Sequence, residues 1–375
     1  MKVLFVGPVS GYASYSVVCK GILRALVSCG VHPCVADTTW DGSLDHTDPF
    51  FDDENITWLE RREILGLVQK GDISDSYGKI CIAINPGHHL LQIKERGLKV
   101  VGMHIGDVDK VPEPWLECMR EEELILTPSS WCEQVIQNSG VTVPVMVLNH
   151  GVGADFRIGP EQIQFPEGEP FVLLHACAST FYPERKSTPQ VLEAFSQLVS
   201  EGEDVILRLI FGMKTKPVKA LLKEVPVEAR PRIQLHYHQG SREQSQMAAA
   251  YRACHAFVAP SRAEGFGMMC LEARACGTPV IQTLCTGHQD HLAPGETPEE
   301  MGIVAVPHGP LAPAWGKFGQ APEVRAEDVY QGIKRAMADW VELKRAALLQ
   351  AEGVATVWAW ERTTMPLVFW LEKHA

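Results

Sequence analysis

No Cys-x-x-Cys pair occurs among the eleven cysteines, and most of them lie inside apolar runs such as Val17-Val18-Cys19. Zinc and redox centres need closely spaced thiols, so this spacing points to reduced, buried cysteines in a cytoplasmic protein. Long hydrophobic runs are missing too. None reaches the ~20 residues that cross a bilayer, so no transmembrane segment is expected. The opening Met1-Lys-Val-Leu-Phe-Val-Gly7 lacks the longer apolar core and small-residue cleavage site of a secretory leader and reads as a first strand. Basic stripes are absent. Lys and Arg total 34 against 46 Asp and Glu, a formal charge of −12. The electrostatic footprint of a protein that holds a long nucleic-acid backbone is therefore lacking, which weakens a nucleic-acid acceptor without excluding it. Any anionic ligand must meet a local basic site.

What is present is an ordinary globular mixture, 46% apolar and 21% charged over 375 residues. That excludes a disordered chain, a collagen-like fibre or a small disulfide scaffold and leaves room for two or three domains. Lys2–Gly7 is an apolar strand that runs into a Gly/Pro/Ser loop. Tyr15–Cys29 follows with apolar residues at helical spacing (Val18, Ile22, Ala25, Leu26), then Gly30 as a stop, then the strand Val31–Ala36. This strand–helix–strand unit begins a parallel sheet. Short apolar strands continue at Lys79–Ile84, Lys99–Met103, Glu123–Thr127 and Val143–Leu148, with a helix over Trp131–Ser139. The acidic stretch 38–55 has no period and reads as a loop.

Breakers cluster at 151–170, and a second alternating series starts at Phe171. It has strands at Phe171–Ala176, Val205–Phe211, Ile233–Tyr237, His255–Ala259 and Val280–Thr283. Helices are expected from Thr188-Pro189, read as N-cap and first turn, to about Ser200, over Ser245–Arg252 and over Met268–Cys276. Two tandem series of this kind predict two doubly wound α/β domains with a ligand cleft at the carboxyl ends of their strands.

The segment richest in chemistry runs from Ala259 to Val280: APSRAEGFGMMCLEARACGTPV. A strand ends, a loop carrying Gly265 and Gly267 follows, and a helix begins. Free amides at a helix start make an anion site. Glu264 lies on the loop and Glu272 one turn into the helix. Either both carboxylates grip one ligand through its vicinal hydroxyls, or the glycines only turn the chain and both glutamates are solvated.

This segment resembles the Glu-x7-Glu signature of retaining GT-B glycosyltransferases of the glycosyltransferase 4 group. Arg185-Lys186 before Gln190–Phe195 resembles the family's diphosphate-binding pair. Asn149-His-Gly-Val152 resembles its interdomain strand end, and Trp360-Glu361-Arg362 the start of its last helix. The resemblance implies a GT-B fold, two Rossmann-like domains facing a central cleft. The acceptor-side domain would span 1–155, the nucleotide-sugar domain 156–353, and a final helix over 354–375 would return to the first domain.

The resemblance also implies roles. Glu272 binds the nucleotide ribose, and Glu264 contacts the transferred sugar. Backbone amides of Gly265, Phe266, Gly267, Met268 and Met269 hold sugar and phosphate oxygens. Lys186 and Arg185 stabilise the diphosphate, Gly11 lets the first loop approach the donor, and His104 contacts the sugar. No cofactor and no metal are implied, because no Asp-x-Asp clamp stands at a family-matched position. One departure is that Ala178-Ser-Thr-Phe181 replaces the usual Gly-Arg, so either Arg185 takes over that charge or phosphate binding weakens.

The expected activity is retaining transfer from a nucleotide sugar. The alternatives are a non-catalytic nucleotide-sugar binder and a phosphorylase-like enzyme. The acceptor (glycan, small molecule, lipid, protein or modified nucleic acid), donor identity and oligomeric state are not readable. Other features read as bland. His88-His89 look like solvated loop residues, His236 and His238 a domain edge, and Trp358, Trp360 and Trp370 helix packing. Gly287-His288-Gln289-Asp290 is either a sugar contact or a turn.

Overall fold

A computed structural model describes residues 1–10, 14–38, 54–59, 78–84, 97–159, 168–177, 182–212, 215–237, 244–314 and 318–374. The chain divides into two compact units. One comprises Met1–Gly106, Lys110–Gly151 and Trp358–Ala375, and the other Asp107–Asp109 and Val152–Val357.

The first unit is built on seven parallel strands: β1 (Lys2–Gly7), β2 (His32–Asp37), β3 (Thr57–Trp58), β4 (Ile80–Ile84), β5 (Lys99–Met103), β6 (Leu124–Thr127) and β7 (Val145–Val147). Their order is β3-β2-β1-β4-β5-β6-β7, reversing direction of growth beside β1. The central strands are buried on both faces, which is why they read as unbroken apolar runs and not as alternation. The first helix, Ser14–Ser28, packs on this sheet through Val18, Ile22, Ala25 and Leu26, and Gly30 past its end takes φ +77°. The terminal segment belongs to this unit. Trp360 is buried, and a Cβ on Gly21 or Gly151 would overlap its indole. The expected helix-packing role of Trp360 is what the structure shows.

The second unit holds six parallel strands: β8 (Phe171–Cys177), β9 (Val205–Phe211), β10 (Ile233–Tyr237), β11 (Ala256–Ala259), β12 (Val280–Thr283) and β13 (Ile303–Val306). Their order is β10-β9-β8-β11-β12-β13. The core gathers Leu173, Phe195, Leu207, Phe211, Val258, Ile281 and Ile333. A small antiparallel hairpin, β14 (Leu311–Pro313) with β15 (Gln320–Pro322), follows. Helix caps differ from expectation in one place. The helix Thr188–Ser200 is preceded by Ser187 in the left-handed region (φ 52°), so Ser187 and not Thr188 stands at the cap. Thr188 is drawn away because its hydroxyl bonds a buried histidine.

Ten of the eleven cysteines are buried and all are free; Cys29 is exposed. Among the described residues no helix is long and apolar enough to cross a membrane. The proposed loop over 38–55 falls mostly outside the described residues, as do His88, His89 and His238.

Candidate active site

β8 and β11 are neighbours at the centre of the second sheet, so the loops leaving their carboxyl ends meet. From β8 the chain passes into a short 3-10 helix, Pro183–Lys186, that presents Arg185 and Lys186. From β11 it passes through Pro260–Gly267 into the helix Met268–Ala275. The two loops are tied through the backbone, since Arg262 N–H donates to Arg185 O at 3.0 Å.

Glu264 sits where they converge, 7% exposed. Its Oε1 pairs with Lys186 Nζ, and its Oε2 lies 3.6 Å from Arg185 Nη1. Arg185 Nη1 also donates to Asp107 Oδ2 at 3.2 Å and to Ala263 O at 3.1 Å. Burial alone would raise the Glu264 carboxyl, but Lys186 and then Arg185 outweigh it and hold it well below the ordinary carboxylate range. Lys186 is only 5% exposed. The solvated alternative for Glu264 is therefore excluded, and the basic pair belongs to the same cluster as the first glutamate.

Backbone geometry fixes the glycine loop. Glu264 N–H donates to Thr286 Oγ1 (3.1 Å), and Gly287 N–H returns to Glu264 O (2.9 Å). A Cβ on Gly287 would overlap the Gly265 carbonyl. Gly267 is the helix cap at φ +89°, a conformation that favours glycine, and a Cβ there would overlap the His288 ring. Phe266 is buried and meets the His291 ring nearly perpendicularly, ring centroids 5.3 Å apart. Gly267, Met268 and Met269 are partly exposed at the helix start, where amides have no partner inside the helix.

Glu272 is also buried, at 9% exposure, and accepts from Tyr251 Oη at 3.1 Å. Burial lifts its carboxyl to about 7, against the lowering influence of the Tyr251 hydroxyl. The two glutamates thus differ electrically: one is clamped ionised by cations, the other titrates near neutrality.

Three histidines line the region, and sequence reasoning assigned none of them firmly. His175, at the end of β8, donates from Nδ1 to Val258 O (2.7 Å), so its Nε2 accepts from Thr188 Oγ1 (2.9 Å). It braces β8 against β11 beneath the basic pair. His288 lies in a 3-10 helix, Thr286–His291, with Nδ1 3.1 Å from Thr283 O. Burial lowers both rings to about 4, so they are neutral at physiological pH. His291 is buried too. The stretch Gly287–Asp290 is more than a solvated turn, because its first two residues wall the glycine loop.

In the first unit, His104 follows β5 and is 4% exposed. Its N–H donates to Leu126 O (2.9 Å), and its Nε2 lies 2.7 Å from Glu122 Oε1. Gly11 lies outside the described residues, as does the 178–181 departure. The loop entering Gly11 is held by Asp37, which accepts from Val9 N (2.9 Å) and Ser10 N (3.1 Å). Asp107 and Glu122 escaped sequence reasoning. Neither stands in a motif. Among the described residues no three His, Cys, Asp or Glu side chains gather as a metal site.

Residues 173–314 match the family described as Glycosyl transferases group 1. A D-inositol 3-phosphate glycosyltransferase from Arthrobacter sp. (strain FB24) is 28% identical over 48% of this chain and 38% of its own length. One from Corynebacterium glutamicum (strain R) is 34% identical over 33% of this chain and 29% of its own. The chain thus matches well under half the length of these curated relatives. Among solved structures, Anabaena HepE in complex with UDP and glucose superposes with a TM-score of 0.72 at 14% identity, covering 100% of both chains. Sucrose-phosphate synthase from Thermosynechococcus elongatus gives 0.70 at 16% identity, covering 100% of this chain and 99% of that one. Both likenesses are of fold.

Proposed function

We propose that this chain, which has the GT-B fold and whose residues 173–314 belong to the group 1 glycosyl transferases, moves a sugar from a nucleoside-diphosphate sugar to an acceptor with retention at the anomeric carbon. The observation that carries the reading is the convergence of buried Lys186 and half-buried Arg185 on Glu264 beside a glycine-capped helix start. Such cations and helix-start amides suit a diphosphate that gains charge as the glycosidic bond breaks.

Lys186, Arg185 and the amides from Gly265 to Met269 hold the diphosphate, with Gly11 giving the donor room at the first loop. Glu264 meets the transferred sugar on the far side of those cations, and its ionised state suits the positive charge that develops at the anomeric carbon. Glu272 takes the ribose hydroxyls. His104 contacts the sugar. In a front-face reaction the bond to the leaving phosphate breaks while the acceptor oxygen bonds the same face. The acceptor proton passes to a departing phosphate oxygen, so the protein supplies orientation and charge in place of a covalent intermediate. The N-terminal unit shapes the acceptor, and the protein works in the cytoplasm.

The reaction needs no cofactor and no metal ion. A thermal-shift panel of nucleotides and nucleotide sugars identifies the donor. A ligand at 100 times its Kd adds about 2.7 kcal/mol of stability. Transfer or slow donor hydrolysis should then persist in excess EDTA. Loss of activity in EDTA with rescue by manganese would overturn the metal-free mechanism, and a donor that binds but is never cleaved would leave only a binder. Release of sugar phosphate in place of nucleotide would point to the phosphorylase-like reading.

A further inference from the structure

The run Glu121-Glu122-Glu123 precedes β6. Its outer members are exposed, and the middle one is turned inward, its side chain 1% exposed. An ionisable chain is buried so completely only when something holds it, and here that is the imidazole of His104 at 2.7 Å. Room for the carboxyl comes from Gly102, the fourth of the five residues of β5. A Cβ at Gly102 would overlap both Glu122 oxygens. Glycine inside a central strand weakens it unless another group must approach closely. His104 is the first residue past β5, and because its N–H still bonds Leu126 O of β6 it continues the alternation and faces the same side as Gly102. The strand therefore carries a notch, a carboxylate in the notch, and a histidine whose ring that carboxylate reaches.

The backbone of His104 is fixed as well. Its N–H bonds Leu126 O, and its carbonyl accepts from Thr127 Oγ1 at 3.0 Å. An ionised carboxylate can only accept, so with Glu122 ionised the proton of this contact sits on Nε2 and Nδ1 is the ring nitrogen left to accept. Nδ1 makes no hydrogen bond to any described residue.

We propose that Glu122, seated in the Gly102 notch, is a positioning residue that fixes the tautomer and orientation of His104, so that Nδ1 is the ring nitrogen offered to the reacting sugar. This rests on the sugar-contacting role given to His104 above. Nδ1 then accepts a hydrogen bond from a sugar hydroxyl while the neighbouring carboxylate stabilises any positive charge the ring takes up. No bond is made or broken by Glu122 itself.

The test uses the full-length protein labelled with 15N-histidine and two-bond 1H–15N correlation spectra, with His104→Ala assigning the His104 signal. Wild type should show His104 as the Nε2–H tautomer alone. Glu122→Ala should release it into a tautomer mixture and lower kcat roughly ten- to a hundredfold, the range over which a histidine's outer partner matters, with donor KM little changed. Glu122→Gln, which keeps volume and an acceptor oxygen, should hold the tautomer and restore much of kcat; it also serves if the alanine variant fails to fold. An Nδ1–H signal in wild type, or an unchanged signal or unchanged kcat in Glu122→Ala, would overturn the proposal. The expected spectra in a protein that cleaves no nucleotide sugar would instead sink the function, and the role with it. An active enzyme with an indifferent tautomer would sink the role alone.

Discussion

Replacing Lys186 with alanine should cost both turnover and stability. A lysine on a loop between strand and helix looks dispensable for folding, but Lys186 is buried against a Glu264 side chain that is itself 9% exposed. Removing the ammonium strands that carboxylate. Breaking one side of a buried pair costs about 3–5 kcal/mol, because the remaining charge has lost its water and its partner. Arg185 moderates the loss. Its Nη1 stays 3.6 Å from Glu264 Oε2 and is worth about 4–5 kcal/mol at an effective dielectric of 20, less solvent screening of a guanidinium that also serves Asp107. The expected cost is therefore near the lower end, about 3 kcal/mol, read as a shift in the urea midpoint at constant m. Adding Glu264→Gln to Lys186→Ala removes the stranded charge and should recover most of that loss, so the double-mutant cycle isolates the pair. Turnover should not recover. Loss of a donor to the transition state costs ~100-fold or more, and the second substitution does not replace it. A Lys186→Ala protein with an unchanged midpoint would refute the buried pair, and one with normal turnover would show that the diphosphate lies elsewhere.

The two glutamates should separate in kinetics. Glu272→Ala should weaken nucleoside diphosphate binding about ten- to a hundredfold, as expected for hydrogen bonds to a charged acceptor, whereas Glu264→Gln should lower kcat and leave that affinity nearly intact; calorimetric titration with the opposite pattern would reverse the roles. Glu272 also sets a pH dependence. Its folded carboxyl is raised to about 7 by burial, so it keeps a proton that the unfolded chain has released, and its contribution to stability falls as pH rises from the ordinary carboxylate range toward 7. Over the same window the ionised acceptor becomes available, so nucleotide-sugar affinity should rise with pH by up to about tenfold per unit below 7. Glu272→Gln should flatten both curves in calorimetry and thermal melts. Gly267→Ala combines a left-handed backbone with overlap of the His288 ring; a destabilisation of about 1–3 kcal/mol is expected, and a midpoint within error of wild type would show that the loop can rearrange.

Much of the fold was legible because parallel strands buried on both faces leave unbroken apolar runs. Val205–Phe211 and Ile233–Tyr237 stand where the sequence puts them. β3, two residues long, leaves too little period to see, and β13 lies in a stretch for which no element was proposed. In the site, Glu264, Glu272, Lys186 and Arg185 were found because chemistry and a motif coincide. Their electrostatics were not, since nothing local says that Lys186 faces Glu264, 78 residues away. Glu122 was hidden for the opposite reason: it belongs to no motif, and its approach to Gly102 is visible only once the strand is folded. Thr188 reads as a helix cap until His175, 13 residues earlier, claims its hydroxyl.

The first unit joins Met1–Gly106 and Lys110–Gly151 to Trp358–Ala375, and all but three residues of the second unit lie between Gly151 and Trp358. The seat under Trp360, lined by Gly21 and Gly151, therefore stays open on the ribosome until Val152–Val357 of the second unit has been made. At 5–20 residues per second, the roughly 200 intervening residues take about 10–40 s to appear. During that wait Gly21 and Gly151 lack the indole that packs on them in the finished fold, while all the strands of the second unit have already been made. The part translated later is thus able to finish folding earlier, and the order in which the two units complete their folds is the reverse of the order in which they begin in the sequence.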